Sequence, residues 1–315
     1  MPYPYGIRQI MKRFLLAILL ILTVLTASAQ DTLRDDAKVR RNVKIVLGTE
    51  ATFYAASMTG LYFAWYADYP QLSFHFYNDN AEWLQMDKIG HGVTSYLVGS
   101  FGYELLRDAG LNENRSIWLG GTLGLAFLTT IEVFDGFSQG WGFSWGDMAA
   151  NTLGSAMFIG QQYLWHEQRI TFKYSFHTTN YPNYRPDLLG ENFLQQTLKD
   201  YNGQTYWASF NIKSLFYNHK ESKFPAWLNF AIGYGATGMI SGFDNQSYTF
   251  HGTPTPPFHQ RKREFFFSLD VDFTRIPTNN KFLKYTFKVL NIFKIPFPAL
   301  EYNTGGEWLW HWIYF

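Results

Sequence analysis

The stretch IEVFDGFSQGWGFSWGDMAANTLG, residues 131–154, decides how the first half of the chain folds. An apolar segment ends at Glu132 and Asp135, a loop rich in glycine and aromatic residues follows, and a second segment begins near Asp147 and Asn151. Burying such acids costs on the order of several kcal/mol unless another group pairs with them. The stretch therefore predicts a helix, a loop and a helix around a candidate polar site.

Composition limits the class of protein. Aromatic residues make up 20% of the 315 residues and charged residues only 16%, a balance that suits an envelope protein with Trp and Tyr at lipid or partner interfaces. A net charge of +1 provides no field that would attract nucleic acid. These residues contain no cysteine, which excludes a disulfide or a lipid-bearing thiol within them.

The N-terminal residues have the pattern of a secretory signal peptide. Lys12 and Arg13 precede an apolar run at 14–25, and the small residues 27–29 form a cleavage site before Gln30. We predict a signal peptide at 1–29 and export to the cell envelope, to the outer membrane or its periplasmic face rather than the inner membrane. An uncleaved membrane anchor is the alternative, although the run is short for a span.

Residues 30–168 are predicted to form a helical bundle domain. Apolar residues at helical spacing, mixed with Gly, Ala, Ser and Thr, indicate four helices. These lie at about 39–66, 87–107, 115–134 and 146–166. Small residues such as those at 120–124 allow helices to approach closely. Only the third segment is strongly apolar, so we expect a compact, membrane-associated antiparallel bundle rather than four membrane spans.

Residues 169–315 change to a period of two, which predicts antiparallel strands. Apolar and polar residues alternate at 170–176, 206–212 and 265–273, and we expect the polar face to be in contact with water. A short amphipathic helix is predicted at 282–293. The predicted fold class is therefore α+β, with an N-terminal bundle of about four helices followed by an antiparallel β-rich half.

The chain ends in WLWHWIYF, residues 308–315. Leu309, Ile313 and Phe315 alternate, as in the last strand of an outer-membrane barrel, whereas His311 interrupts the pattern. Two interpretations remain open. The strands form a partial or small barrel, or an aromatic last strand packs on the helical half.

Six polar residues on the predicted helices form three pairs, each on one helix face. The pairs are Asp87 with His91, Glu132 with Asp135, and Asp147 with Asn151. If consecutive helices run antiparallel, all three pairs lie at one end of the bundle. The alternative is that the acids are helix caps and His91 a hydrogen-bonded core residue, because Ser144 and Asp147 have the spacing of a capping box.

These residues could hold a hard divalent cation, with ligands drawn from His91, Glu132, Asp135 and Asp147. A carboxylate beside a metal-polarised water could then act as a general base on a phosphoester or lipid head group. The competing hypothesis is a buried ion network that holds the helices together. The two remain alternatives, and catalytic roles for all six residues are candidates only in the first.

The same residues carry a resemblance to a known family. Asp87-Lys88-x-x-His91, Glu132-x-x-Asp135 and the run from Gly142 to Asp147 resemble the YfiM-like periplasmic lipoprotein family, a domain of unknown function, over residues 85–165. A looser similarity points to VanZ-like membrane proteins. The resemblance implies an envelope location and no particular reaction, and it leaves out the β-rich half.

We therefore predict a membrane-associated envelope protein with a structural or binding role. Membrane lipid or another envelope protein is the expected partner, and the contact is predicted to come from an aromatic loop. Its residues are Phe137, Trp141, Phe143 and Trp145. The alternative function is the metal-assisted hydrolase.

Overall fold

The computed structural model describes residues 37–67, 69–217, 222–245 and 260–315. The predicted signal peptide lies outside the described residues. The α+β fold class is confirmed: helices dominate the first half of the chain, and strands dominate the second half. The helices are α1 (Ala37–Leu61), α2 (Met86–Asp108), α3 (Glu113–Gly121), α4 (Leu123–Asp135), α5 (Trp145–Trp165), α6 (Pro186–Leu189), α7 (Phe193–Lys199), α8 (Ile212–Phe216) and α9 (Lys281–Leu290).

The chain divides into two compact units. The helical unit contains the described residues up to Tyr77 together with Val98–Tyr163, and the sheet unit contains Asn78–Leu97 together with Leu164–Phe315. The first half of α2 therefore groups with the strands, whereas the sequence assigned it to the helical domain.

Close helix approach in the helical unit depends on glycine. A Cβ at Gly99 would lie 2.7 Å from the carbonyl oxygen of Gly121, and a Cβ at Gly120 would overlap the backbone of Tyr103. Small residues allow α2 and α3 to approach this closely. The segment Glu113–Asp135 is long and apolar enough to cross a membrane, with 39% of its most apolar window buried, and a core helix of a soluble protein has the same properties.

The sheet unit holds six antiparallel strands in the order of the chain. They are β1 (Ile170–Phe176), β2 (Gln204–Asn211), β3 (Leu228–Thr237), β4 (Lys262–Val271), β5 (Phe297–Asn303) and β6 (Trp308–Tyr314). Among the described residues no ladder joins β6 to β1, so the sheet is not closed into a barrel.

The polar face of the sheet is buried, so the expectation of a wet polar face is wrong. The inner face, defined by Lys173, Ser209 and Asp270, has essentially no exposure at these residues. The Nζ of Lys173 lies 2.8 Å from Asp270, and the Ser209 hydroxyl donates to the same carboxylate at 2.6 Å. Asn229 donates to Ser209 at 2.9 Å. These contacts across strands offset part of the cost of burying the groups, although Asp270 Oδ1 accepts no hydrogen bond from the residues that the structure describes.

His311 belongs to this inner face. Its Nε2 lies 2.7 Å from the Glu301 carboxylate, and a register shift between Phe297 and Ala299 lets Tyr314 return to the same side. His311 therefore lies on the inner face with the other polar residues, which explains why a polar residue stands in the last strand. Ile313 lies in the irregular segment.

Candidate functional site

Buried polar residues connect α4 to α5 in the helical unit. The Ser144 N–H donates to Glu132 Oε2 at 3.1 Å, and the Ser144 hydroxyl accepts from the Asp147 N–H at 3.1 Å. Glu132 is 1% exposed, Asp147 4% and Asn151 0%. Ser144 caps α5 as the capping-box spacing predicts. The cap explains the contact of the Asp147 backbone, and the Asp147 side chain is buried beside it.

Asp135 has a different partner. The hydroxyl of Tyr66 donates to its Oδ1 at 2.8 Å, and the Tyr66 ring packs edge-on against Phe134 and Trp141. Helix C-termini repel an acid, so the tyrosine hydroxyl offsets part of that cost. Nothing in the spacing of the sequence indicated that a residue 69 positions away would serve this role.

The aromatic loop between α4 and α5 is held by the segment 69–77. The backbone N–H of His75 donates to the carbonyl of Gly136 at 2.8 Å. The backbone N–H of Phe143 in turn donates to the carbonyl of His75 at 3.0 Å. A Cβ at Gly142 would lie 2.5 Å from the Cβ of Tyr77, so only glycine fits there. The loop is therefore closely packed against this segment.

The four predicted contact aromatics are not equivalent. Phe143 is buried, Phe137 and Trp141 are half-buried, and Trp145 is 67% exposed. The Trp145 ring stacks on the exposed ring of Phe76, with centroids 6.0 Å apart. Contact of this loop with lipid or a partner stays a prediction, and Trp145 is the member with the surface to make it.

Asp87 and His91 lie in the sheet unit, where Asp87 is the centre of an ion cluster. The Tyr201 hydroxyl donates to its Oδ1 at 2.6 Å, Lys88 Nζ lies 3.3 Å away and His91 Nε2 3.8 Å away. Lys88 also pairs with Asp79 at 2.8 Å. Burial would raise the pKa of Asp87, but His91, Lys88 and the Tyr201 hydroxyl outweigh it and lower the pKa.

A strained turn precedes this cluster. Trp83, Leu84 and Gln85 have φ values of 48°, 51° and 64°. Such conformations cost of order 1–3 kcal/mol each outside glycine. The Trp83 N–H donates to Gly242 at 2.8 Å, and the Leu84 carbonyl accepts from Arg263 at 2.8 Å. These contacts hold the start of α2, and with it Asp87, against the sheet.

The six candidates therefore fall into two sets that we describe separately. Glu132, Asp135, Asp147 and Asn151 belong to the helical unit, and Asp87 and His91 belong to the sheet unit. In the helical unit, buried carboxylate and amide oxygens are of the type that hard divalent cations bind. The convergence of all six residues stays a prediction of the sequence.

All six candidates lie in one family match. Residues 75–161 match DUF2279, described as a predicted periplasmic lipoprotein. The DUF2279 match agrees with the resemblance found in the sequence and with an exported, envelope-associated protein. It covers neither the strands nor α9, and no finding supports a relation to VanZ-like proteins. Comparison with curated proteins and with solved structures found no match.

A second candidate surface lies on the opposite side of the sheet from the inner face. We call the outer face the side that carries Ile232, Phe267, Leu300 and Trp310, which are successive partners across β3, β4, β5 and β6. Ile232 is 39% exposed, Phe267 47% and Trp310 55%. A neighbouring row across the same strands is aromatic throughout. It consists of Tyr234, Phe265, Tyr302 and Trp308.

Alternation in the sequence indicated β4 but not β3 or β5, and it did not indicate the direction in which the apolar side chains point. Each strand has apolar residues at every second position, and the structure directs those of β3 to β6 outward. In proteins generally, large contiguous exposed apolar surfaces are often sites of interaction with protein or membrane.

Proposed function

We propose that this protein is a cell-envelope protein that lies against lipid through the outer face of its sheet and has a structural or binding role there. The observation that carries the proposal is that the sheet buries polar residues on its inner face and exposes large apolar residues on its outer face. Water-soluble antiparallel sheets bury their apolar face and expose the polar one. Sheets in contact with lipid do the reverse, with the polar residues inside.

The interior supports this function because several of its polar groups pair with one another. Lys173 and Asp270 pair with no exposure of either side chain, and the Trp207 N–H donates to Ser175 at 2.8 Å. Outside, Tyr302, Trp308 and Trp310 are amphipathic aromatic residues of the kind found at the boundary between head groups and acyl chains. The family description supports an envelope location, and the outer membrane or its periplasmic face is part of this proposal.

Tryptophan quenching tests the lipid contact. The full chain is reconstituted into vesicles of ordinary or brominated phospholipid, since bromine quenches tryptophans in contact with acyl chains. We expect brominated lipid to quench the protein, and Trp310→Phe to remove part of the quenched emission. The matched control is Trp207→Phe, because Trp207 is 1% exposed and lies on the inner face. Equal quenching in both lipids, or equal effects of the two variants, would contradict the proposal.

The second candidate function is metal-assisted hydrolysis of a lipid head group or phosphoester. The burial of Glu132, Asp147 and Asn151 near the start of α5 favours this function. Residues that only cap a helix need not bury their side-chain oxygens, whereas ligands of a divalent cation do. Metal analysis of the purified protein tests it. We expect a bound divalent cation that is lost in Asp147→Ala and retained in Asp187→Ala, a change at a surface ion pair. Absence of metal in the unaltered protein would favour a packing network.

A further inference from the structure

The helix α9 exposes an apolar stripe instead of burying it. Phe282 is 75% exposed, Val289 50% and Leu290 43%. On this helix Phe287 packs inward, with its ring 6.1 Å from that of Phe273. Amphipathic helices of water-soluble proteins turn the apolar stripe toward the core. In α9 a large part of the stripe faces away from it.

The helix is nevertheless held firmly at both ends. The Asn280 side chain caps it by accepting from the Phe282 N–H at 2.9 Å. After its last turn, the Asn291 side chain accepts from the Phe273 N–H at 3.0 Å, and Lys294 donates its N–H to Tyr174 of β1 at 2.9 Å. The exposed stripe is thus presented by a fixed helix next to the sheet.

The charge of this segment has one sign. The helix sequence KFLKYTFKVL contains three lysines and no acid. Lys284 and Lys288 lie one turn apart, and the ammonium group of Lys288 is 5.5 Å from the ring centre of Tyr285. The whole chain has a net charge of only +1, so this is a local concentration of positive charge. A basic helix with an exposed apolar stripe matches the interface of an anionic bilayer, where acyl chains and negative head groups are adjacent.

We propose that α9 is an interfacial helix that binds anionic phospholipid head groups through Lys284 and Lys288 while Phe282, Val289 and Leu290 enter the acyl boundary. This inference rests on the proposed lipid contact of the sheet and deepens it by naming the lipid class. Charge complementarity together with the exposed apolar stripe selects an anionic bilayer surface as the occupant.

Vesicle flotation with the full chain tests this. The vesicles are phosphatidylcholine alone or phosphatidylcholine mixed with phosphatidylglycerol, at constant low salt. We expect stronger partitioning into the anionic vesicles. The double variant Lys284→Gln/Lys288→Gln should lower partitioning into them by roughly 30-fold, since each lysine near an anionic surface contributes about fivefold. Partitioning into phosphatidylcholine alone should be nearly unchanged.

The matched control is Arg40→Gln/Lys44→Gln on α1, which removes the same charge from exposed positions elsewhere. An equal loss in both double variants would show that net charge alone is responsible and would overturn the inference. Equal binding of the unaltered chain to both vesicles would also overturn it. Binding of soluble polyglutamate in preference to anionic vesicles of the same charge would indicate an acidic protein partner instead.

A third variant tests the apolar stripe. Phe282→Ser/Val289→Ser should weaken partitioning into both kinds of vesicle, because it removes apolar area and no charge. No change in either vesicle would contradict insertion of the stripe. The tryptophan quenching of Trp310 is a separate readout, so anionic-lipid preference can fail while the lipid contact of the sheet persists.

Discussion

At the scale of single residues, the inner face of the sheet depends on charges that have left water. Lys173 and Asp270 are fully buried and 2.8 Å apart. Removing one partner of such a pair leaves an uncompensated buried charge, whereas replacing both by apolar residues is often neutral. The pair therefore has a stability effect that differs between single and double variants.

We expect Asp270→Asn to lower the free energy of unfolding by about 3–5 kcal/mol, and Lys173→Met/Asp270→Leu to recover much of the loss. Denaturant unfolding in detergent, followed by near-UV circular dichroism, measures this. The control is Lys262→Met, which removes an exposed ion pair with Glu307 and should cost about 0–1 kcal/mol. A small effect of Asp270→Asn would mean that water reaches the inner face.

Glu264, also on the inner face, provides a prediction about pH. Burial, followed by repulsion from Glu301, raises the pKa of Glu264 from 4.5 to about 8. The folded state then binds more protons than the unfolded state between these values, so stability should fall as pH rises from about 4.5 to about 8. Glu264→Gln should reduce this loss, and Glu50, whose pKa burial raises from 4.5 to about 7, should account for part of what remains. Unfolding temperatures measured across this pH range test the prediction. The unfolding temperature of the variant should be higher than that of the unaltered protein only toward the alkaline end.

The control for that experiment is Glu307→Gln. Hydrogen bonds from Lys262 and Asn303 lower the pKa of Glu307, so this change should not raise stability at alkaline pH. Burial lowers the pKa of Lys294 from 10.5 to about 8, so Lys294 affects stability at a higher pH than Glu264 does. A stability that rises between pH 5 and pH 8 would contradict the assignment to Glu264.

At the scale of elements, the approach of α2 to α3 depends on glycine. A Cβ at Gly120 would overlap the backbone of Tyr103 and Gly102, which cannot move without separating the helices. We expect Gly120→Ala to destabilise the protein by about 3 kcal/mol. In contrast, a Cβ at Gly160 of α5 would meet nothing within 4 Å, so Gly160→Ala should stabilise by up to ~1 kcal/mol. Thermal unfolding of both variants measures the difference, and effects of the same sign would argue against close packing here.

At the scale of the whole molecule, the expected location gives the prediction. We expect the mature chain to begin at Gln30 and to sediment with envelope membranes, because the residues before it have the pattern of a signal peptide and the proposed function places lipid against the outer face of the sheet. N-terminal sequencing and cell fractionation measure the two parts. Recovery of the full-length chain from the soluble cytoplasm would contradict both.

The sequence by itself determined the elements that local geometry controls. The helical period places the helices over 87–107 and 146–166 close to α2 and α5, and Ser144 caps α5 as its spacing predicts. Alternation located β1, β2 and β4, because side chains of a strand point to opposite faces at every second residue. The strands β3 and β5 were not predicted, since glycines and Pro298 weaken their alternation.

Only the tertiary structure decided which face of the sheet is buried. Alternation is symmetric, so it separates Lys173 and Asp270 from their apolar neighbours without saying which set faces inward. The ion pair between Lys173 of β1 and Asp270 of β4, 97 residues apart, lowers the cost of burying the polar set. The same holds for the candidate site. Local spacing placed Asp87 and His91 on one helix face. The contact between Tyr201 and Asp87 depends on long-range packing, which the spacing of residues within a helix cannot indicate.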